Sequence, residues 1–171
     1  MLTKKKRLLI ITLPVLPWFA VGFVLYVLFG QKYMYAKSFA SELYHYPLPK
    51  ETKMVDKNFD YGVLFGGGPS GNGGYPTVVS YIEVESDLSR AELYDYYNKE
   101  NVFSAPDSDD KNVGFEIYFD GYQKKIEENG KVWYKRDGNP GTLSSKKGEG
   151  KTKAIIQIRT EFSYPFFIDW Y

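Results

Sequence analysis

Thr77-Val78-Val79-Ser80-Tyr81-Ile82-Glu83-Val84-Glu85-Ser86-Asp87-Leu88-Ser89-Arg90-Ala91-Glu92-Leu93 changes its period halfway along. From Thr77 to Glu85 the period is 2: Val78, Ser80, Ile82 and Val84 share one face of a strand, and Val79, Tyr81 and Glu83 share the other. From Leu88 onward the residues are those of a helix start. The Ser89 hydroxyl can accept from the N–H of Glu92, and the Glu92 carboxylate can reach back to the N–H of Ser89. Leu88 and Leu93 occupy the two hydrophobic-staple positions. The spacing predicts a helix to about Glu100, with Leu93 and Tyr97 buried and Tyr94 or Tyr96 flanking them. A strand feeding a capped helix makes this a mixed α and β chain.

Toward the C-terminus strand signals dominate. Val113, Phe115, Ile117 and Phe119 alternate with Gly114, Glu116 and Tyr118, which predicts one continuous one-sided strand. Asp120-Gly121 and Asn129-Gly130 are two-residue hairpin signals, framing strands at about Tyr122–Glu127 and Lys131–Lys135. The stretch from Asp137 to Lys151 reads as a polar loop rich in Gly and Ser. A last strand follows from Lys153 to Phe162, with Ala154, Ile156, Ile158 and Phe162 on one face. Toward the N-terminus, Tyr61–Phe65 is a short strand candidate. The expected fold class is α+β: an antiparallel sheet with one main helix packed on it, preceded by an N-terminal transmembrane helix.

That last element rests on the first thirty residues. Lys4, Lys5, Lys6 and Arg7 precede an uncharged, mostly apolar run from Leu8 to Phe29. As a helix this run would span roughly 33 Å at ~1.5 Å per residue, enough for a hydrocarbon core of about 30 Å. Pro14 and Pro17 predict a kink in its first half, which bilayers tolerate. The basic residues lie before the run and only Lys32 and Lys37 follow closely. The positive-inside rule therefore puts the N-terminus in the cytoplasm and the rest outside. A cleaved signal peptide fits less well, because the apolar run is long and small residues at the cleavage positions are missing. Lipoprotein processing needs a cysteine, and the chain has none. The expected layout is a cytoplasmic stub at 1–7, a transmembrane signal-anchor at 8–30, a juxtamembrane stalk and linker at 31–58, and an extracytoplasmic α+β domain at 59–171. Within the stalk, Ala36, Ala40 and Leu43 have loose helical spacing, and Tyr46-Pro47-Leu48-Pro49 ends it.

Composition narrows the function classes. Residues 1–30 hold four basic residues and no acid, while the remainder holds the other 18 of the 22 Lys and Arg against 21 Asp and Glu. An outer domain with that balance and no basic block does not suit nucleic acid, whose phosphates demand clustered cations. The absence of cysteine removes thiol nucleophiles, Fe–S clusters and cysteine-based zinc sites, and fits a bacterial envelope, a Gram-positive surface in particular. Aromatic residues make up 18% of the chain, with 16 Tyr. They suit half-buried strands, and they equally suit a binding face.

No motif carries catalysis. Gly66-Gly67-Gly68-Pro69-Ser70-Gly71 matches G-x-G-x-x-G in form, but a strand follows it where a dinucleotide site needs a helix, and no Gly-Lys-Ser/Thr closes a phosphate loop. It reads as a strand connection whose bare backbone lets a partner approach. Asp107-Ser108-Asp109-Asp110 lacks the glycine and terminal glutamate of a calcium loop. His45 is the only histidine, so a multi-histidine metal site is impossible, and no Gly-x-Ser-x-Gly elbow presents a nucleophile. The acid pairs Glu83 with Glu85 and Glu127 with Glu128 fix no carboxyl separation for glycoside hydrolysis. Neither a cofactor nor a metal is expected.

Tyr46-Pro47-Leu48-Pro49, the run Ser86–Leu93 and the following Tyr96-Tyr97 resemble uncharacterised small single-pass envelope proteins of Gram-positive bacteria. The likeness covers about residues 40–100. It implies location and organisation and carries no catalytic residues. Together these readings point to a membrane-anchored extracytoplasmic interaction module with an envelope protein as partner. A cell-wall or glycan binder is the alternative, and an envelope hydrolase ranks below it. The candidate contact residues are Gly66, Gly67, Gly68, Ser70, Asn72 and Tyr75, with Phe166, Phe167, Trp170 and Tyr171 of the aromatic tail.

Overall fold

In the computed structural model of the chain, residues 16–64, 75–105, 111–138 and 150–161 are described. They fall into two compact units, one holding residues 16–34 and the other residues 35–161.

The first unit contains α1 (Leu16–Leu25), a π-helical turn (Tyr26–Gly30) and the first residues of α2 (Gln31–Tyr44). Every side chain described in α1 is exposed, including Trp18 at 76%, Phe19 at 73% and Phe23 at 66%. Among the described residues no helix is long and apolar enough to cross a membrane. Residues 8–15 of the expected span lie outside the described residues.

In the second unit, α2 from residue 35 on is more than a stalk. Ala36, Phe39, Ala40 and Leu43 are buried, so the loose helical spacing seen in the sequence marks a core-facing stripe. The helix ends where the prolines predict, with the Tyr46 N–H donating to the Leu43 carbonyl. The expected linker to about Asn58 is instead the first half of a long strand, β1 (Thr52–Leu64), with a bulge between Met54 and Asp56. Its polar residues Lys53, Asp56, Lys57 and Asn58 are exposed, and the strand has a neighbour on one side only, so no apolar alternation announces it. β2 (Tyr75–Ser86) pairs with β1 and with β8 (Thr152–Glu161), and β8 pairs in turn with β5 (Glu116–Phe119). All three pairings are antiparallel, giving the sheet order β1-β2-β8-β5.

The capped helix forms as the sequence dictates. α3 (Arg90–Tyr97) carries the full capping box, with Ser89 Oγ accepting from the Glu92 N–H at 3.3 Å and Glu92 Oε2 accepting from the Ser89 N–H at 2.8 Å. It stops at Tyr97, short of Glu100. Asn98 leaves the helical region, and the chain beyond is held close to Gly114, where a Cβ would lie 2.8 Å from the Lys99 carbonyl oxygen. That approach also divides the strand expected at 113–119. Its first part is β4 (Lys111–Val113), paired with the two-residue β3 (Phe103–Ser104), and its second is β5. Two helices, α2 and α3, supply buried side chains to the domain where the sequence suggested one.

Asn129-Gly130 makes the predicted hairpin between β6 (Gln123–Glu128) and β7 (Lys131–Arg136), with both turn residues at positive φ (53° and 75°) as a type I′ turn requires. Asp120-Gly121 is a turn of another kind. It joins β5 to β6, which do not pair, so it passes the chain from the main sheet to the separate hairpin.

The period-2 reading of β2 holds at both faces. Val79 packs with Leu64 and Trp133, while Tyr81 packs with Tyr118, Tyr134 and Ile155, so the odd face lies under the hairpin. On the even face Val78, Ser80, Ile82 and Val84 are buried, as are Ala154, Ile156 and Ile158 of β8. Ser80 Oγ donates to the Asn58 carbonyl at 3.4 Å, and α3 packs on β5. Each fully buried aliphatic side chain here contributes about 1.5–3 kcal/mol.

Candidate functional site

β8 carries one polar residue in an apolar run, Ala154-Ile155-Ile156-Gln157-Ile158, and Gln157 is fully buried. A buried amide must find partners, and here it finds them on the hairpin. Gln157 Oε1 accepts from the Tyr134 N–H at 2.9 Å, and Gln157 Nε2 donates to the Tyr134 carbonyl at 3.2 Å. The side chain thus stands in for a strand neighbour and ties β7 to the sheet. Its second Nε2 hydrogen goes to Glu116 Oε2 at 2.7 Å. Glu116 also accepts from the Tyr118 hydroxyl at 2.8 Å and pairs with Arg159. At the other end of the network the Tyr134 hydroxyl donates to Glu83 Oε1 at 3.0 Å. Asp60 adds a further tie, accepting from the Val132 N–H at 2.8 Å.

Titration follows this arrangement. Burial pushes the Tyr118 and Tyr134 hydroxyls well above the ordinary tyrosine range, reinforced by the charges of Glu116 and Glu83 respectively. Burial also raises the Asp60 carboxyl, opposed by its bond from Val132. Glu85 is held below the usual carboxylate range by its hydrogen bond from Lys53, with Lys153 adding to the effect.

Beside this network a groove of about 230 Å³ opens where the sheet meets the start of the hairpin. Val84, Ala154 and Ile155 line it, with the bulge residue Val55 at one side. Its polar groups are Glu83, Glu85, Asp120, Gln123 and Lys153. The β2 alternation places Glu83 and Glu85 two apart on one face, as the sequence suggests. Their settings differ, since Glu83 takes the Tyr134 hydroxyl and Glu85 takes two lysines. Asp120 and Gln123 arrive from the turn that leaves the main sheet.

Of the contact residues read from the sequence, Gly66, Gly67, Gly68, Ser70, Asn72, Phe166, Phe167, Trp170 and Tyr171 lie outside the described residues, as does the acidic loop at 107–110. The backbone of Tyr75 opens β2 opposite Leu64. His45 is exposed, with Nδ1 2.7 Å from the Ser41 carbonyl oxygen and 3.1 Å from Ser41 Oγ. Donating to the carbonyl uses the Nδ1 proton and leaves that nitrogen no lone pair to activate the serine. Glu127 and Glu128 are exposed on β6. Among the described residues no three of His, Asp and Glu are grouped to hold a metal. Sequence reading missed Gln157, Glu116, Tyr134, Asp120 and Gln123. The lone amide inside an apolar strand was the one signal available for the first. No family model, curated protein or solved structure matches the chain.

Proposed function

We propose that the protein is a membrane-anchored interaction module whose α+β domain lies outside the cytoplasm and docks a protein of the membrane or envelope. The observation that carries this reading is α1, an apolar helix with every described side chain exposed, lying within the uncharged run that follows Lys4, Lys5, Lys6 and Arg7. Such a surface is costly in water and stable in lipid. The domain itself supports binding over chemistry. The buried Gln157 amide serves to fix the hairpin on the sheet, and His45 Nδ1 is engaged by the Ser41 carbonyl. The contact surfaces in this reading are Gly66–Tyr75 and the aromatic tail Phe166–Tyr171, with the groove beside Val55 as a separate candidate.

The cysteine-free chain allows a direct test. Thr3→Cys and Glu100→Cys are made separately and labelled in intact bacterial cells with a membrane-impermeant maleimide. The expected result is labelling of Glu100→Cys in intact cells and of Thr3→Cys only after permeabilisation, with both retained in the membrane pellet after alkaline carbonate. Release by carbonate, or the reverse labelling, overturns the proposal.

A further inference from the structure

The hairpin stands on the sheet by one of its edges. The N–H groups of Val132 and Tyr134 and the Tyr134 carbonyl leave β7 toward the sheet, where Asp60 and Gln157 hold them. The cross-strand neighbours of these two residues are Glu127 and Lys125. In an antiparallel ribbon such pairs turn their backbone groups away from each other. The N–H and carbonyl groups of Lys125 and Glu127 therefore point outward from the other edge, that of β6. Among the described residues β7 is the only strand that pairs with β6, and no bulge interrupts the pairing. Lys124, Lys125, Glu127 and Glu128 are exposed there, and Ile126 is half-buried against the cluster of Leu64, Val79 and Trp133.

Charge along that edge is antisymmetric: two lysines, then Ile126, then two glutamates. A second copy laid antiparallel on β6, with a two-fold axis at Ile126, sets Lys125 opposite Glu127 and Lys124 opposite Glu128, each pair twice. Lys125 and Glu127 then exchange their outward N–H and carbonyl groups, and Ile126 meets its own copy at a non-hydrogen-bonded pair, where side chains come closest. A slip by two residues sets Lys125 against Lys125 or Glu127 against Glu127, and a slip by one puts facing side chains on opposite sides of the ribbon. Charges on an edge strand ordinarily guard it against pairing. This order of charges admits one neighbour, the same strand of another copy. The ion pair within β6, Lys125 Nζ to Glu127 Oε2 at 3.9 Å, is exposed, weak and readily exchanged for one across the axis.

We infer that the outer edge of β6 is a homodimer contact, at which two copies join their hairpins into one antiparallel ribbon in the order β7-β6-β6-β7. This contact is separate from the docking reading above and stands without it. Two short strands make a small interface beside those of stable dimers, so the pairing is reversible and is best read by trapping.

The test is disulfide trapping of full-length Ile126→Cys, made in the cysteine-free chain and oxidised with copper phenanthroline in detergent micelles. Across the axis the two Cα atoms lie about 4.5 Å apart, within disulfide range, and a dimer is expected on non-reducing gels. Glu128→Cys should trap none, since its two copies stand roughly 13 Å apart at ~3.3 Å per residue. Adding Lys124→Glu/Lys125→Glu to Ile126→Cys sets like charges opposite each other and should slow trapping at least about tenfold. Adding Glu127→Lys/Glu128→Lys as well reverses the order of charges and should restore the rate. In the unsubstituted protein the amide protons of Lys125 and Glu127 should exchange more slowly as concentration rises, while those of Lys124, Ile126 and Glu128, already bonded within the hairpin, stay unchanged. No dimer from Ile126→Cys, equal trapping at Glu128→Cys, or charge variants without these effects overturns the homodimer. Amides of Lys125 and Glu127 that slow only when solubilised membranes are added, and not with concentration, assign the edge to a strand of another protein and overturn it too.

Discussion

Gln157 and Tyr97 are both fully buried, and the two are treated in opposite ways. Under the hairpin, each polar group of the Gln157 amide has a partner, and those partners, Tyr134 and Glu116, are bonded in turn to Glu83, Tyr118 and Arg159. At the end of α3, Tyr97 sits in an aromatic cluster, 5.2 Å from the ring of Phe115 and 6.3 Å from that of Tyr46, and its hydroxyl has no hydrogen-bond partner. The neighbouring tyrosines reach the surface and do bond: Tyr96 donates to the Pro47 carbonyl, and Lys99 donates to the Tyr46 hydroxyl while lying over both rings. The hairpin region is specified by directional bonds that admit one register. The aromatic region is specified by shape, and it tolerates an unmet hydroxyl because ring burial outweighs it.

The largest break in this comparison is Gln157→Leu. It leaves the Tyr134 N–H and carbonyl buried and unpaired, and removes a donor from Glu116. We expect a loss of about 2–5 kcal/mol in urea unfolding of the full chain in detergent. A loss below ~1 kcal/mol would mean that packing alone seats the hairpin. Next comes Ser89→Ala. The capping box serves the helix that carries Tyr97, and its loss should cost about 1 kcal/mol by the same measurement, with the hairpin contacts intact. Tyr97→Phe has the smallest effect and the opposite sign. It removes a hydroxyl that nothing satisfies, so stability should hold or rise by up to ~1 kcal/mol, whereas Tyr134→Phe, which strips a donor from Glu83, should destabilise.

Alkaline titration sharpens the same contrast. Burial raises the hydroxyls of Tyr97, Tyr118 and Tyr134 above the ordinary tyrosine value of 10.0. The native state therefore holds these protons more tightly than the unfolded chain. Their contribution is fully present below pH 10.0 and is lost as the pH rises through that value toward their native range. Unfolding midpoints measured at stepwise rising pH should fall above that point. Each of Tyr97→Phe and Tyr134→Phe should make the fall shallower. Unchanged slopes in both variants would contradict the burial of these hydroxyls.

Local patterns predicted local structure well. The period of β2, the Ser89–Glu92 box, the Asn129-Gly130 turn and the apolar face of β8 at Ala154, Ile156 and Ile158 each depend on residues within a few positions, and each is found where the residues indicate; Phe162 of that face lies outside the described residues. Three elements were not legible. The first half of β1, before the Tyr61–Leu64 stretch that reads as a strand, shows its polar residues to solvent along an edge, so it has no signature until β2 pairs with it. The break at Gly114 comes from the Lys99 carbonyl, 15 residues earlier in the chain. Asp120-Gly121 has hairpin residues but connects two sheets, because β5 finds its partner in β8, more than thirty residues further on. The groove is harder still to foresee, since Val55, Glu83, the Asp120–Gln123 turn and Lys153 come from four separate segments.

By itself the sequence determined the α+β class, the capped helix, the alternation that gives the sheet two buried faces, and the basic and apolar opening of the chain. These depend on side-chain spacing and on capping chemistry between near neighbours, which the order of residues specifies directly. Only the tertiary structure decided the strand order β1-β2-β8-β5, the use of Gln157 as a surrogate strand partner, and the meeting of Glu83, Asp120 and Gln123 around one groove. Those depend on which distant segments can satisfy each other's backbone bonds and buried polar atoms at once, a condition that acts in space and leaves little trace in any short stretch of residues.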